Sequence, residues 1–507
     1  MFISNLDLLK AKLAAEGQMN ESQMIKAILK DDVENPKKQY MRKGVDYYEG
    51  KHDIYSHDFR TSIIHEEDER GNPYDTIVTN ENNSNHHNVH RFHTQQVRQK
   101  VAYILGKPLS ITVEGAENSA ELKAFEDEIT KFTSDEEFTD TLSKWAVAAS
   151  NKGAEWIHVY YDENGERQYT ICPAEEIIPF YDTMHQKKLV ELIRYYSIAV
   201  IKNGEEVLRK KVEWWTRDRV TYYEEDDEGN FTLDYTHRPN PAPHWITITS
   251  VDGAAKKSTP HSWGRIPFIA LHNNDVDESD LSLIKPLVDA YDLISSASTN
   301  NQIDLVELYW MIQGYGGETA KTIAKKLMYN HAVEIADPNG KISAEQVTLN
   351  VSERLEFLKM LRRDIYYFGM AIDTDTDKFG TAPSGVSLKF QYTQLDMKAD
   401  LMISGLKLAL KEFFRFIVED MNAVNGTAYD SSLIRVDVNK SIITNDLETV
   451  QIITQSKGLV PDVLLLAHHP MVDDVNQAIK ELEAQKKKEA DAFLNSDVLP
   501  DDEGDDE

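Results

Sequence analysis

The sequence predicts an α+β fold that is mostly helical. Three observations carry this. Before about residue 150 and after about residue 279, apolar residues recur every three to four positions, the spacing of one helix face. Between these regions, residues 155–250 change to short alternating runs bounded by turn residues, the pattern of strands. A polar stretch with Gly and Pro, DTDTDKFGTAPSG at 373–385, then interrupts the second helical region.

The elements follow in order. Residues 1–40 read as amphipathic helices, with Leu8, Leu9 and Leu13 and then Met24, Ile25, Ile28 and Leu29 on helical spacing. Residues 45–88 are polar and read as loop, ending in NENNSNHHN. A helix is expected from about Asn88 to Leu105, because Val89, Phe92, Gln96, Val97, Val101 and Ile104 share one face and Gly106 and Pro108 stop it. Further helices are expected over 120–132 and 138–150. In the middle region, 157–161 and 168–171 flank Asp162-Glu163-Asn164-Gly165 and read as a hairpin with an Asn-Gly turn. Strands are expected over 192–201, 206–215 and 220–224.

From Ser279, Leu283, Leu287, Val288, Tyr291 and Ile294 form an apolar face, and Pro286 suits the first helical turn, where a missing N–H costs little. A mixed segment at 300–350 contains Gly314-Tyr315-Gly316-Gly317 and Pro338-Asn339-Gly340. A second helix is expected from Asn350, whose side chain caps it while Glu353 closes a capping box. Its stripe is Val351, Leu355, Leu358, Leu361, Ile365, Phe368 and Ile372. After the polar loop come an apolar helix over 395–424 ending near Gly426, a strand at 433–443, and helices to about Phe493. The last seventeen residues carry eight acids and no base, which predicts disorder.

At 507 residues the chain suits about three structural regions. Its 55 Lys+Arg against 86 Asp+Glu give a net charge of −31, so its average surface repels DNA and only local basic spots attract it. The single Cys172 excludes an internal disulfide framework and reads as a small buried hydrophobe. No apolar run reaches the roughly eighteen residues of a membrane span. The first residues, MFISNLDLLKAKLAAEG, lack the apolar core of a signal peptide. A cytoplasm-like compartment is expected.

No catalytic constellation emerges. Asn339-Gly340-Lys341-Ile342-Ser343 lacks the upstream glycine and the hydroxyl residue of a Walker A loop, and His65-Glu66-Glu67-Asp68-Glu69 lacks the second histidine of a zincin. Asp373, Asp375 and Asp377 resemble the start of an EF-hand, but Lys378 and Ser384 stand where Gly and Glu are needed. His86, His87, His90 and His93 cluster. On a helix, His86, His90 and His93 would share a face as a zinc or nickel trio, but a polar helix start often carries exposed histidines and no carboxylate partner is evident, so the plain reading is favoured. Lys359, Arg362 and Arg363 lie on one side of their helix. Lys398, Lys407, Lys411 and Arg415 form a similar cluster. Both sets fit solvated helix faces, and Phe413 and Phe414 fit a core better than a base-stacking platform.

Several phrases in order resemble the portal proteins of long-tailed phages that infect Gram-positive hosts. They are YYEGKHDI at 47–54, the helix ending YILGKP at 103–108, Asn151-Lys152-Gly153 with Pro173-Ala174-Glu175-Glu176, Trp263-Gly264-Arg265-Ile266-Pro267 with Asn273-Asn274, and LIKPLVDAYD at 283–292. The stretch 427–507 matches less closely, mainly through Gly458-Leu459, His469-Pro470 and the acidic end.

The resemblance implies a portal fold with wing, two-helix stem, clip, tunnel loop and helical crown, in a dodecameric ring at one capsid vertex. Residues 1–273 would be the N-terminal helices and wing, 274–299 the first stem helix, 300–351 the clip, 352–372 the second stem helix and 373–387 the tunnel loop. Residues 388–426 would be the connecting helix, 427–480 the crown and 481–507 an acidic tail. It further implies double-stranded DNA passing through the ring, terminase and then head-completion proteins at the clip, and capsid and scaffolding proteins at the wing. No cofactor, catalytic role or membrane is implied. Lys359, Arg362 and Arg363 would form sparse basic rings, with Asp373, Asp375, Asp377 and Lys378 facing the channel. The rival readings are a metal-dependent nucleic-acid-processing enzyme using His86, His90 and His93, a helical scaffold, and another virion structural protein.

Overall fold

In the computed structural model the described residues are 20–67, 70, 72–81, 83–182, 188–202, 204–251, 255–304, 309–313, 322, 341–345, 351–374, 385–441, 446–467 and scattered positions from 469 to 488. The chain divides into a larger unit, drawn from 1–45, 96–280 and 370–507, and a smaller one, drawn from 46–95 and 281–369. The fold is α+β.

The chain begins with α1 (Glu21–Glu34), α2 (Pro36–Glu49), β1 (Thr61–Glu67), β2 (Pro73–Thr79), α3 (Phe92–Leu105), β3 (Ser110–Val113), α4 (Ala120–Thr133) and α5 (Glu136–Lys152). The strand-rich middle follows: β4 (Ala154–Tyr161), β5 (Arg167–Cys172), β6 (Ile177–Tyr181), β7 (Leu189–Lys202), β8 (Glu205–Trp215), β9 (Arg219–Glu225), β10 (Phe231–Leu233), β11 (Ala242–Pro243), β12 (Trp245–Val251), β13 (Ala255–His261) and β14 (Phe268–His272). Then come α6 (Lys285–Asp304), β15 (Tyr309–Gln313), β16 (Lys341–Glu345), α7 (Val351–Phe368), α8 (Gly385–Asn425), β17 (Ile434–Asp437), α9 (Asp446–Ser456) and α10 (Asp462–Ala467).

In the larger unit an antiparallel sheet runs β10-β9-β8-β7-β6, with β11 added on β9. Its two faces separate by strict alternation, since successive side chains of a strand point to opposite sides. Ile178, Phe180, Ile193, Val212, Trp214 and Tyr223 pack with Ile25, Ile28 and Leu29 of α1. Their sequence neighbours Ile177, Leu192 and Trp215, with Val220, pack instead with Trp156, Cys172, Ile266 and Phe268. The sheet is thus covered on both faces. A capping box starts α1, where Asn20 Oδ1 accepts from the Gln23 N–H at 2.8 Å and Gln23 Oε1 accepts from the Asn20 N–H at 3.0 Å.

A second sheet, β14-β4-β5, carries α5 and α8. Trp145 of α5, 1% exposed, donates its indole N–H to the Glu155 carbonyl at 2.9 Å. Gly405 of α8 meets β14 so closely that a Cβ there would lie 2.6 Å from the His272 carbonyl oxygen. The Asn-Lys-Gly phrase ends α5: Gly153 has φ +94, and its Cβ would fall 2.2 Å from the Asp277 carbonyl oxygen, so glycine is required on both counts.

The smaller unit holds the antiparallel pairs β1–β2 and β15–β16 and the helices α6 and α7, which pack on each other. Pro286 sits in the first turn of α6, as its missing N–H requires.

Several boundaries differ from expectation. Residues 45–88 are not all loop, because they contain the β1–β2 hairpin, in which Ile63 and Ile77 are directly opposite. The helix expected from Asn88 begins at Phe92. The apolar helix expected from Leu395 begins at Gly385, inside the expected loop. The strand expected over 433–443 is confined to Ile434–Asp437. The cap at Asn350, most of the loop at 373–387, most of the mixed segment, residues 1–19 and the acidic terminus lie outside the described residues. No helix among the described residues is long and apolar enough to cross a membrane.

Candidate functional site

The sequence places its strongest functional expectation on the helix pair α6 and α7, and both helices are built unusually. Four side chains of α6 are buried at strict four-residue spacing, and three are polar: Val288, Asp292, Ser296 and Asn300. They face residues 84–90, which have no regular structure of their own. Every second N–H of that segment donates to every fourth side chain of the helix. The acceptors are Asp292 for His90 at 2.9 Å, Ser296 for Asn88 at 2.9 Å, Asn300 for His86 at 2.8 Å and Asp304 for Ser84 at 3.0 Å. Asn300 also donates to the His86 carbonyl at 2.9 Å. This polar ladder replaces the helix expected from Asn88. Amide groups that cannot join a helix or sheet need partners when partly buried, and the side chains of α6 supply them.

Asp292, fully buried, is the centre of the ladder. Its two oxygens lie 2.6 Å from His52 Nδ1 and 2.8 Å from His90 Nδ1. Burial pushes this carboxyl up, but the bonds from His52 and His90 outweigh it and the net displacement is downward. His52 stacks on Tyr47, ring centres 4.2 Å apart. Tyr47 donates to Asp289. Lys285 reaches both Asp289 and Asp53 at 2.7 Å and lies 5.0 Å over the Tyr47 ring. The YYEGKHDI phrase therefore supplies the partners that fix the start of α6.

On α7, only Leu361, Ile365 and Tyr366 are buried. Tyr366 donates to Gln95 at 2.8 Å and meets Phe92 edge to face. The expected stripe is covered at Leu361 and Ile365, yet Val351 is 54%, Leu355 50% and Phe368 54% exposed. Phe357, Met360 and Tyr367 are exposed as well.

The named basic residues stand on this helix. Lys359 is exposed and donates to Glu356 at 2.9 Å, and Arg363 is exposed and donates to Asp364 at 2.9 Å. The Arg362 guanidinium lies 5.8 Å over the Tyr366 ring. The structure thus brings Lys359, Arg362 and Arg363 together on one helix, each with a local partner. Asp373 is half-buried in the larger unit. Asp375, Asp377 and Lys378 lie outside the described residues.

The histidine trio loses its helical premise. His86 and His90 precede α3 in the ladder segment, and His93 is buried within the helix. His87 bonds the His57 carbonyl at 2.7 Å. Among the described residues, no group of three or more metal-ligating side chains is placed to hold an ion. Sequence reasoning also missed the ladder itself. It weighed only the apolar face of α6, although Asp292, Ser296, Asn300 and Asp304 recur every fourth residue.

The chain matches the family model described as phage portal protein, SPP1 Gp6-like, over residues 29–492, and it belongs to that family. Its curated relatives include the portal protein of Bacillus phage SPP1, 28% identical over 483 residues covering 94% of this chain and 88% of that protein. Another is the portal protein of Clostridium phage phiCD119, 27% identical over 486 residues covering 93% and 97%. The family resemblance carried by the sequence phrases is borne out.

Proposed function

We propose that the chain is the subunit of a ring at one capsid vertex that serves as the channel for packaging and ejecting the phage genome. Membership of the portal family supports the role. The observation that carries the assembly is the number of exposed large apolar side chains on α7, Val351, Leu355, Phe357, Met360, Tyr367 and Phe368: exposed apolar surface marks an interaction site, and neighbouring copies in a ring would cover it. In this reading α6 and α7 are the two stem helices, with the clip at 300–351, the tunnel loop at 373–387, the wing over 1–273, the connecting helix over 388–426 and the crown over 427–480. Lys359, Arg362 and Arg363 would give sparse basic rings, and Asp373, Asp375, Asp377 and Lys378 would face the lumen. A wall of mostly like charge lets DNA slide, because strong phosphate contacts act as friction. Terminase and then head-completion proteins would dock on the clip, and capsid and scaffolding proteins on the wing, within the virion.

Negative-stain electron microscopy of the purified chain, paired with light scattering, tests this. Closed rings of dodecameric mass with a central hole are expected. A monodisperse monomer at high concentration and across a range of salt would overturn the reading.

A further inference from the structure

The cluster Lys407, Lys411 and Arg415 is absorbed by nothing described so far. Two of its members line a cleft of about 410 Å³ in the larger unit, between α8 and β17. Lys407 and Lys411 of α8 and Arg435 and Asp437 of β17 are its charged lining, and Thr112, Phe414, Ile434 and Val436 complete it. Three cations therefore meet one acid in this cleft, on a chain whose net charge is −31. Their existing pairs are weak ones. Lys407 reaches Asp437 at 3.1 Å with both side chains largely exposed, Arg435 pairs with the exposed Glu114, and Lys411 has no carboxylate partner among the described residues. Exposed pairs of this kind contribute between about 0 and 1 kcal/mol, so an incoming anion exchanges partners at little cost.

We infer that this cleft is a docking site for the acidic terminus of the chain itself, residues 491–507. That segment holds eight acids and no base, six of them within Asp501–Glu507. Charge complementarity is the first argument. The second is spacing: Lys407 and Lys411 are one helical turn apart, about 6 Å, and alternate residues of an extended peptide are about 6.6 Å apart. The ladder on α6 already shows an extended segment matched to a helix in this way. The third is size. A cleft of about 410 Å³ admits one extended chain, whereas a DNA duplex, whose major groove alone is about 12 Å wide, would rest on its rim. The fourth is tethering. A chain so acidic repels free polyanions, but a segment attached to it is held at an effective concentration of roughly millimolar. At up to about 3.4 Å per residue, the stretch from 488 to 501 reaches roughly 45 Å.

Zero-length carbodiimide cross-linking of the full chain, read by mass spectrometry, tests this directly. Links from Lys407 or Lys411 to acids within 491–507 are expected at low salt, with loss near 1 M salt, where the screening length falls to about 3 Å. Lys144 and Asp140, exposed and 2.6 Å apart, are the internal control. In the variant carrying Lys411→Glu and Arg435→Glu, the Lys407 links should fall at least about tenfold while the control link and the circular dichroism spectrum are unchanged. The inference is overturned if the control forms without any tail link, or if the double variant links as well as the wild type. Absence of tail links together with retention of a short DNA duplex that the double variant loses would assign the cleft to nucleic acid instead.

Discussion

Lys152 places its Nζ 2.6 Å from a carboxylate oxygen of Glu175 and 2.7 Å from one of Glu155. The two phrases Asn-Lys-Gly and Pro-Ala-Glu-Glu, separated in the sequence, are thus joined by one half-enclosed ammonium. Glu155 is 1% exposed, and burial pushes its carboxyl up to about 7 despite Lys152.

This sets a pH dependence. A carboxyl raised in the folded state favours folding below its unfolded value of 4.5, and that contribution is lost as pH rises through about 7. Stability is expected to fall between about pH 4.5 and 7 by on the order of 3 kcal/mol from this group, taking the displacement from 4.5 to about 7. Glu155→Gln should flatten that slope in thermal melts followed across the range. An unchanged slope would remove Glu155 as its source.

Asp280 is buried between two lysines, 2.6 Å from Lys100 and 3.3 Å from Lys398, and accepts from Asn273 at 2.9 Å. Burial raises this carboxyl, but the lysines outweigh it and hold it well below the usual carboxylate range. Asp280→Asn strands two ammonium groups and is expected to cost about 3–5 kcal/mol in denaturant unfolding. Lys100→Met, which leaves Asp280 with Lys398, should cost clearly less. Burial holds Lys100 down to about 8. Because the unfolded chain then binds more protons above that value, stability from this group should rise with pH from about 8 towards 10.5.

The ladder on α6 predicts an alternating pattern of hydrogen exchange. The amides of Ser84, His86, Asn88 and His90 are bonded to α6 side chains and should exchange slowly, with those of Asn85, His87 and Val89 faster. Asn300→Ala leaves His86 without both its partners and is expected to cost about 1–3 kcal/mol and to speed exchange at His86 first. Uniform exchange along the segment would contradict the ladder.

Cys172 is fully buried, and burial pushes its thiol up to about 12. It should resist a thiol reagent in the native protein and react only at the rate of unfolding.

Leu355→Asp, at a half-exposed apolar position of α7, should leave the monomer folded by circular dichroism while abolishing rings in the electron microscope. Intact rings would show that this position is not covered on assembly.

Much of the larger unit was legible because its signals are local. Alternation over 192–201 and 206–215 found β7 and β8, and the Asn-Gly turn found the β4–β5 hairpin. What failed were elements fixed by distant partners. Residues 88–91 hold helical spacing but lie outside α3, because α6 offers their neighbours better hydrogen-bond acceptors than a further helical turn would. The β1–β2 hairpin was read as loop because Ile63, Ile64, Ile77 and Val78 stand among charged residues and remain exposed. The site was legible only in part. The periodicity that located α7 says nothing of which half of its stripe is covered, and the basic residues named on it proved to have ordinary local partners.

The ladder has a built-in limit. Two residues of extended chain advance about 6.6 Å, and four residues of helix about 6.0 Å, so the two scales slip against each other like a vernier. Over the three intervals between Ser84 and His90 the drift is roughly 2 Å, and all four rungs nonetheless close at 2.8–3.0 Å. A next rung past His90 would set the Phe92 amide against Val288, which offers no acceptor, and that amide bonds the His90 carbonyl instead. The strap along α6 is therefore bounded past His90 by the kind of residue the helix presents, while the two periods run close enough to keep four rungs in step.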